Sequence, residues 1–151
     1  MRVFVHDSKL SLPRPIEEVF AFFSDARNLE TITPGWLRFA IRTPGPIEMR
    51  VGAVIDYGLR LHGIPFAWRS RITVWDPPRK FADEQLRGPY RLWRHEHRFE
   101  GGGDRTLVRD HVEYAVPGGW LVHKLFVARE VGRIFDYRRR VLGTIFAAPA
   151  G

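Results

Sequence analysis

The chain has 151 residues, of which 44% are hydrophobic and 13% aromatic, enough for one domain with a substantial core and too apolar for a disordered segment. It has no cysteine, which excludes disulfides, thiol nucleophiles and zinc–thiolate sites. The net charge of +7 rests on 21 arginines and only 3 lysines, a balance that can steer anionic partners.

Those arginines are scattered, and in RHEHRFE and VRDHVEY they alternate with acids, as suits ion pairs on a solvated sheet face. No clustered basic face or recognisable module is visible, so no specific nucleic-acid partner is expected. The apolar run VFV is too short for a signal peptide, and no stretch approaches the roughly 18 apolar residues of a membrane span. The expectation is a cytoplasmic single domain over residues 1–151, a monomer or homodimer.

RVFVHDSKLSL alternates as a first strand should. LPRPIEEVFAFFSDARNLETIT reads as helix. Pro15 suits an early helical position, Glu17 and Glu18 suit the positive N-terminal end, and Val19, Phe20, Phe22 and Phe23 form an apolar stripe. Around Asp25 this pattern breaks into a second short helix. TPGWLRFAIRTPGPIEMRVG is punctuated by Pro and Gly, with one strand expected at Leu37–Arg42.

From Val54 the pattern is β for about sixty residues. His62-Gly63 reads as a hairpin turn, Arg87-Gly88-Pro89 as a second turn, and GGGDR as a third. After Pro117-Gly118-Gly119, Trp120 to Phe146 suits one long helix. Projected at 100° per residue, Leu121, Ala128, Val131, Phe135, Leu142 and Phe146 share one arc, and Arg138 and Arg139 lie near its edges. Phe126 projects outward, which predicts a kink near the helix start or an exposed apolar patch. The economical packing is an α+β domain with this helix across the concave face of a curved antiparallel sheet.

The stretches LPRPIEEVFAFFSDARNLETITPGWLRF, DPPRKFADEQLRGPYRLWRHEHRFE and TLVRDHVEYAVPGG resemble the START-like, or SRPBCC, superfamily. They are most similar to its small bacterial single-domain branch, described as cyclase/dehydrase-like. The resemblance spans essentially the whole chain. It implies a helix-grip fold: a curved antiparallel sheet wrapped around a long C-terminal helix, two short helices after the first strand, and a cavity between. Members of the superfamily include lipid carriers, polyketide aromatases and cyclases, hormone receptors and ubiquinone-binding chaperones, and fold alone does not choose among them.

Strand parity states what points inward. In RLWRHEHRFE, Trp93, His95, His97 and Phe99 share one face, with Arg94, Glu96 and Arg98 opposite. Ile55, Tyr57, Leu59 and Leu61 turn inward on one strand, and Trp68, Ser70, Ile72 and Val74 on the next. Val108, Asp110, Val112 and Tyr114 turn inward on the last strand. For Lys80–Leu86 parity is undecided, because Phe81 favours Phe81, Asp83 and Gln85 inward while Ala82 and Leu86 favour the reverse. The short GGGDR turn sets Asp110 opposite His95 or His97, and a buried carboxylate needs such a partner. Arg138 or Arg139 could compete for it.

Three functions remain open. The first is binding of a hydrophobic small molecule (a lipid, isoprenoid quinone or polyketide-like compound) in a cavity lined by Tyr57, Trp68, Ser70, Trp93, Phe99, Phe135 and Arg138. The second is a polyketide cyclase, aromatase or dehydratase. In that case His95 or His97 acts as general base, Asp110 orients it and Tyr114 donates a proton. The third is an interaction protein docking through exposed apolar loops or Phe126. A metal held by His95, His97 and Asp110 is not expected, since H-x-H is a short pattern with no further inward histidine nearby. No cofactor is expected. GGGD joins two strands and opens no helix, so it does not read as a phosphate cradle.

Overall fold

The computed structural model describes residues 1–147. A first strand, β1 (Phe4–Leu12), leads into helices α1 (Ile16–Ser24) and α2 (Asn28–Thr31) and a single 3-10 turn at Gly35–Leu37. The strands β2 (Ala40–Ile41), β3 (Val54–Leu61), β4 (Ile64–Asp76), β5 (Lys80–Arg87), β6 (Leu92–Gly102) and β7 (Arg105–Ala115) follow. The chain ends in a helix built from three pieces: α3 (Gly119–Val122), a π-helical turn at His123–Val127 and α4 (Ala128–Ile145). Among the described residues no helix is long and apolar enough to cross a membrane.

All seven strands form one antiparallel sheet in the order β1-β7-β6-β5-β4-β3-β2. The β3–β4 hairpin turns at His62-Gly63, both at positive φ (51° and 80°), which matches the right-handed twist of the flanking strands. β6 and β7 are joined by a turn tight enough that Gly102 already pairs with Arg105, and this fixes His97 directly opposite Asp110. The concave face is covered by α1 and α4, giving the two-layer helix-grip arrangement. Val131, Phe135 and Leu142 of α4 are all buried against the sheet.

Alternation holds along most of the sheet. Ile55, Leu59, Trp68, Ser70, Ile72, His95, His97, Phe99, Val108, Asp110, Val112 and Tyr114 are all buried. The convex face carries the expected ion pairs across strands: Asp56–Arg69 at 2.8 Å, Arg71–Glu84, and Glu100–Arg109 at 3.1 Å. Phe81 is buried and both Phe81 and Asp83 line the interior while Leu86 is exposed, which decides the inward set of β5.

Four expectations need correction. Val74 is exposed, because a register shift between Ile72 and Val74 breaks the alternation of β4. Leu121 and Ala128 are also exposed, although one helical projection placed them on the buried arc. The π turn takes in an extra residue and rotates Leu121, which precedes it, by about 100°; Ala128 opens α4 beyond the turn and is exposed at the helix start, which the turn does not explain. The same turn leaves Phe126 facing solvent, at the place where its outward projection called for an irregularity. The strand expected over Leu37–Arg42 shrinks to Ala40–Ile41, since Leu37 closes the 3-10 turn and Arg38 takes a left-handed conformation with φ 47°. Pro15 stands just before α1, as its extended N-cap.

Candidate functional site

The concave face divides along its length. Toward α1 it is solid: Phe20 and Phe99 pack ring against ring with Phe23 and Phe81, which border the cavity beyond, and Leu142 and Phe146 join the same cluster. Toward the middle of α4 it opens into a cavity of about 130 Å³. Its apolar wall includes Tyr57, Leu59, Trp68, Trp93, Ile134 and Phe135. Polar side chains meet it in two places, a hydroxyl cluster and an imidazole–carboxylate cluster.

The hydroxyl cluster comes from adjacent strands. Trp68 donates its indole N–H to Ser70 Oγ at 2.9 Å, and Ser70 Oγ lies 3.0 Å from the Tyr57 hydroxyl. Ser70 already accepts from Trp68, so only one of the two hydroxyl protons is used in the Tyr57–Ser70 bond. The other has no acceptor among the described residues. Burial holds the Tyr57 phenol well above its ordinary pKa, so it stays neutral.

The second cluster is the one the H-x-H of β6 builds. The His95 and His97 rings stack 3.6 Å apart, and Phe81 stacks on the far side of His97 at 4.0 Å. His95 Nε2 lies 2.7 Å from Asp110 Oδ1. His97 Nε2 lies 3.1 Å from Asp83 Oδ2, and its Nδ1 stands 3.4 Å from Asp110 Oδ1 in an electrostatic contact that misses hydrogen-bond geometry. Each imidazole thus has its own carboxylate, and His97 is flanked by both.

Burial opposes charge on both rings, but the surroundings separate them. At His97 the Asp110 and Asp83 carboxylates outweigh burial and raise the pKa above 6.5. At His95 burial and the adjacent His97 lower it to about 4, against the pull of Asp110. Burial alone would raise both aspartates, yet the imidazoles beside them hold Asp110 and Asp83 below the usual carboxylate range. The cluster therefore sets two ionised carboxylates beside a His97 whose protonated form they favour and a His95 whose protonated form burial disfavours. With Asp110 ionised, His95 keeps its proton on Nε2 and its Nδ1 is left as an acceptor.

Arg138 of α4 supplies the remaining charge. Its guanidinium lines the same cavity, lies over the Phe135 ring at 5.1 Å, and is close enough to Asp83 to stabilise that carboxylate. Its Nε and Nη1 are buried with no hydrogen-bond partner. Neither Arg138 nor Arg139 forms an ion pair with Asp110 among the described residues; Arg139 is exposed and faces Asp136 at 3.9 Å.

Two expected site residues sit elsewhere. Tyr114 does not line the cavity: its hydroxyl hydrogen-bonds His123 Nε2 at 2.7 Å, and its ring packs with Phe4 and Trp93. Phe99 faces inward but belongs to the solid end under α1. Conversely, Asp83 completes the cluster, and the sequence had left its direction undecided. Asp83, His95 and His97 offer donor atoms within 4.8 Å of one another, a spacing a metal ion could bridge. Both imidazole Nε2 atoms already hydrogen-bond to carboxylates, and the Arg138 cation beside the cluster opposes a further positive charge.

A family model for polyketide cyclase / dehydrase and lipid transport matches residues 12–136. The chain belongs to this family. A search of curated protein sequences returns no match. Among solved structures, the Zhui aromatase/cyclase from Streptomyces sp. R1128 is similar at 18% identity and TM-score 0.74, over 95% of this chain and 93% of that one. Norcoclaurine synthase from Thalictrum flavum is similar at 14% identity and TM-score 0.68, covering 98% and 96% of the two chains. The ginseng major latex-like protein 151 from Panax ginseng is similar at 12% identity and TM-score 0.69, covering 97% and 99%. At these identities the likeness is one of fold, and it agrees with the START-like helix-grip architecture.

Proposed function

We propose that this protein binds a compact hydrophobic molecule in the cavity between the sheet and α4. The observation that carries the reading is the cavity itself: about 130 Å³ of space, walled by aromatic and aliphatic side chains, beside a solidly packed half of the same core. Cores normally close-pack, and an apolar cavity of roughly 150 Å³ suffices to bind benzene. A single ring fits the space as it stands, and a lipid or extended polyketide exceeds it. Membership in a family described by cyclase, dehydrase and lipid-transport activities is consistent with an interior ligand.

Substituting Ile134, which lines the cavity from α4, tests this reading. Native mass spectrometry of freshly purified protein should find an extractable organic ligand, and Ile134→Trp should abolish its retention while the protein remains folded. Equal retention by Ile134→Trp would contradict the proposal.

A second reading, a cyclase or dehydratase, is favoured by one observation. His95 is neutral, is held at Nε2 by the Asp110 carboxylate, and borders the cavity, which are the properties of a general base. In that reading His95 abstracts a proton and Asp110 stabilises the imidazolium that forms. His95→Asn should then abolish turnover of a bound substrate without weakening its binding. An unchanged turnover rate would remove the enzymatic reading.

A further inference from the structure

The unspent hydrogen-bonding capacity of the cavity is lopsided. Arg138 lines the cavity with no protein acceptor; its Nε and Nη1 are themselves enclosed, which leaves Nη2 as the accessible donor, and the Tyr57–Ser70 pair leaves one hydroxyl proton free. Buried donors of this kind must be met by water or by a ligand. A guanidinium without an acceptor is the most costly of them. A pure hydrocarbon filling the cavity would displace any water and leave these donors unpaired.

The charges restrict the acceptor further. Asp83 and Asp110 stand against the single guanidinium of Arg138, with the His97 imidazole between the two carboxylates, so no positive charge is left over for an anion. An ionised carboxylate on the ligand would add an uncompensated negative charge in the low-dielectric interior, near Asp83. A carbonyl oxygen accepts the same hydrogen bonds without that cost. The aromatic walls from Tyr57, Trp68, Trp93 and Phe135 suit a flat ring, and the volume suits one ring rather than several.

We infer that the ligand is a small aromatic molecule bearing an uncharged carbonyl oxygen, which accepts hydrogen bonds from Arg138. This rests on the cavity reading above and narrows it to a chemical class. Arg138 is thereby the residue that selects among ligands of equal size, because a site built around a buried donor rejects isosteres that lack the acceptor.

Three near-isosteric probes separate the possibilities: ethylbenzene, acetophenone and benzoate. The readout is the Trp68 indole N–H resonance in nitrogen–proton correlation spectra of the wild-type protein, at neutral pH. Acetophenone should bind at least about tenfold more tightly than either of the others, the range expected for a hydrogen bond to a charged group. Arg138→Met, which keeps the length and removes the donors, should bring acetophenone down to the affinity of ethylbenzene and leave ethylbenzene unchanged. Arg138→Lys should recover part of the preference, and the same spectra report whether each variant is folded. The comparison among probes in the wild type stands even if both variants unfold. Tightest binding by benzoate would overturn the inference in favour of an anion site. Equal binding of acetophenone and ethylbenzene would overturn it while leaving the cavity reading intact. Failure of all three to shift Trp68 would overturn both.

Discussion

The two ends of the concave face are built from the same strands but resolve burial in opposite ways. Under α1, Phe20, Phe23, Phe81 and Phe99 fill the space between sheet and helix with edge-to-face and stacked rings. Under the middle of α4, Tyr57, Ser70, Asp83, His95, His97 and Arg138 surround space that no side chain fills. The packed end stabilises by excluding water at native density. The open end holds polar groups whose mutual pairing offsets part of the cost of burying them. The difference locates stability at one end and the proposed ligand site at the other.

The largest expected effect lies at the packed end. Phe99→Ala should cost about 3–5 kcal/mol in urea unfolding, since its neighbours cannot collapse into the space. A loss below about 1 kcal/mol would mean that this end is no better packed than the cavity.

Acid should act through the open end. Between pH 6.5 and about 4 the unfolded chain binds a proton that folded His95 refuses, so stability falls as pH drops through that window, by about 3 kcal/mol in all. His97 has the opposite sign. Its folded pKa is raised, so its contribution is fully present below 6.5 and is lost as pH rises through the folded value. Stability should therefore peak near pH 6.5, with His95→Gln flattening the acid limb and His97→Gln the alkaline one. Urea titrations across pH check both limbs, and a wild-type profile that keeps rising past neutrality would contradict the assignment.

Asp110→Asn should cost about 1–3 kcal/mol, because the amide still accepts from His95 but loses the charge-assisted part of that bond and of the contact with His97. It should also weaken ligand retention measured by native mass spectrometry. Lost stability with unchanged retention would make the His–Asp cluster core architecture only. The smallest effect belongs to the convex face, where the pairs are exposed. Arg109→Ala should change the unfolding free energy by no more than about 1 kcal/mol.

Much of the contrast was legible in the sequence. Alternation around His95 and His97 gave their face, and the GGGDR turn gave the register that brings Asp110 to them. Parity failed where the backbone changes its own period, at the register shift beside Val74 and at the π turn that exposes Leu121. Asp83 stayed undecided because Ala82 and Leu86 are as apolar as its true inward neighbour Phe81 requires, and only the observed pairing with β6 separates the faces. Phe99 reads as inward, but whether an inward ring meets a helix or a cavity depends on where α1 crosses the sheet. Tyr114 likewise reads as inward, yet its hydroxyl is taken by His123, a residue of the π turn whose position no strand pattern foretells.

The account stands on one charge distribution: a His97 whose protonated form two carboxylates favour, and a neutral His95 beside it with a free Nδ1. Nitrogen-15 chemical shifts of the two imidazoles, followed against pH in the folded protein, report it directly. His97 should titrate above pH 6.5, while His95 should remain the neutral tautomer with its proton on Nε2 until the pH approaches about 4. A His95 charged at neutral pH, or a His97 that titrates below 6.5, would contradict the charge assignment on which the proposed base depends.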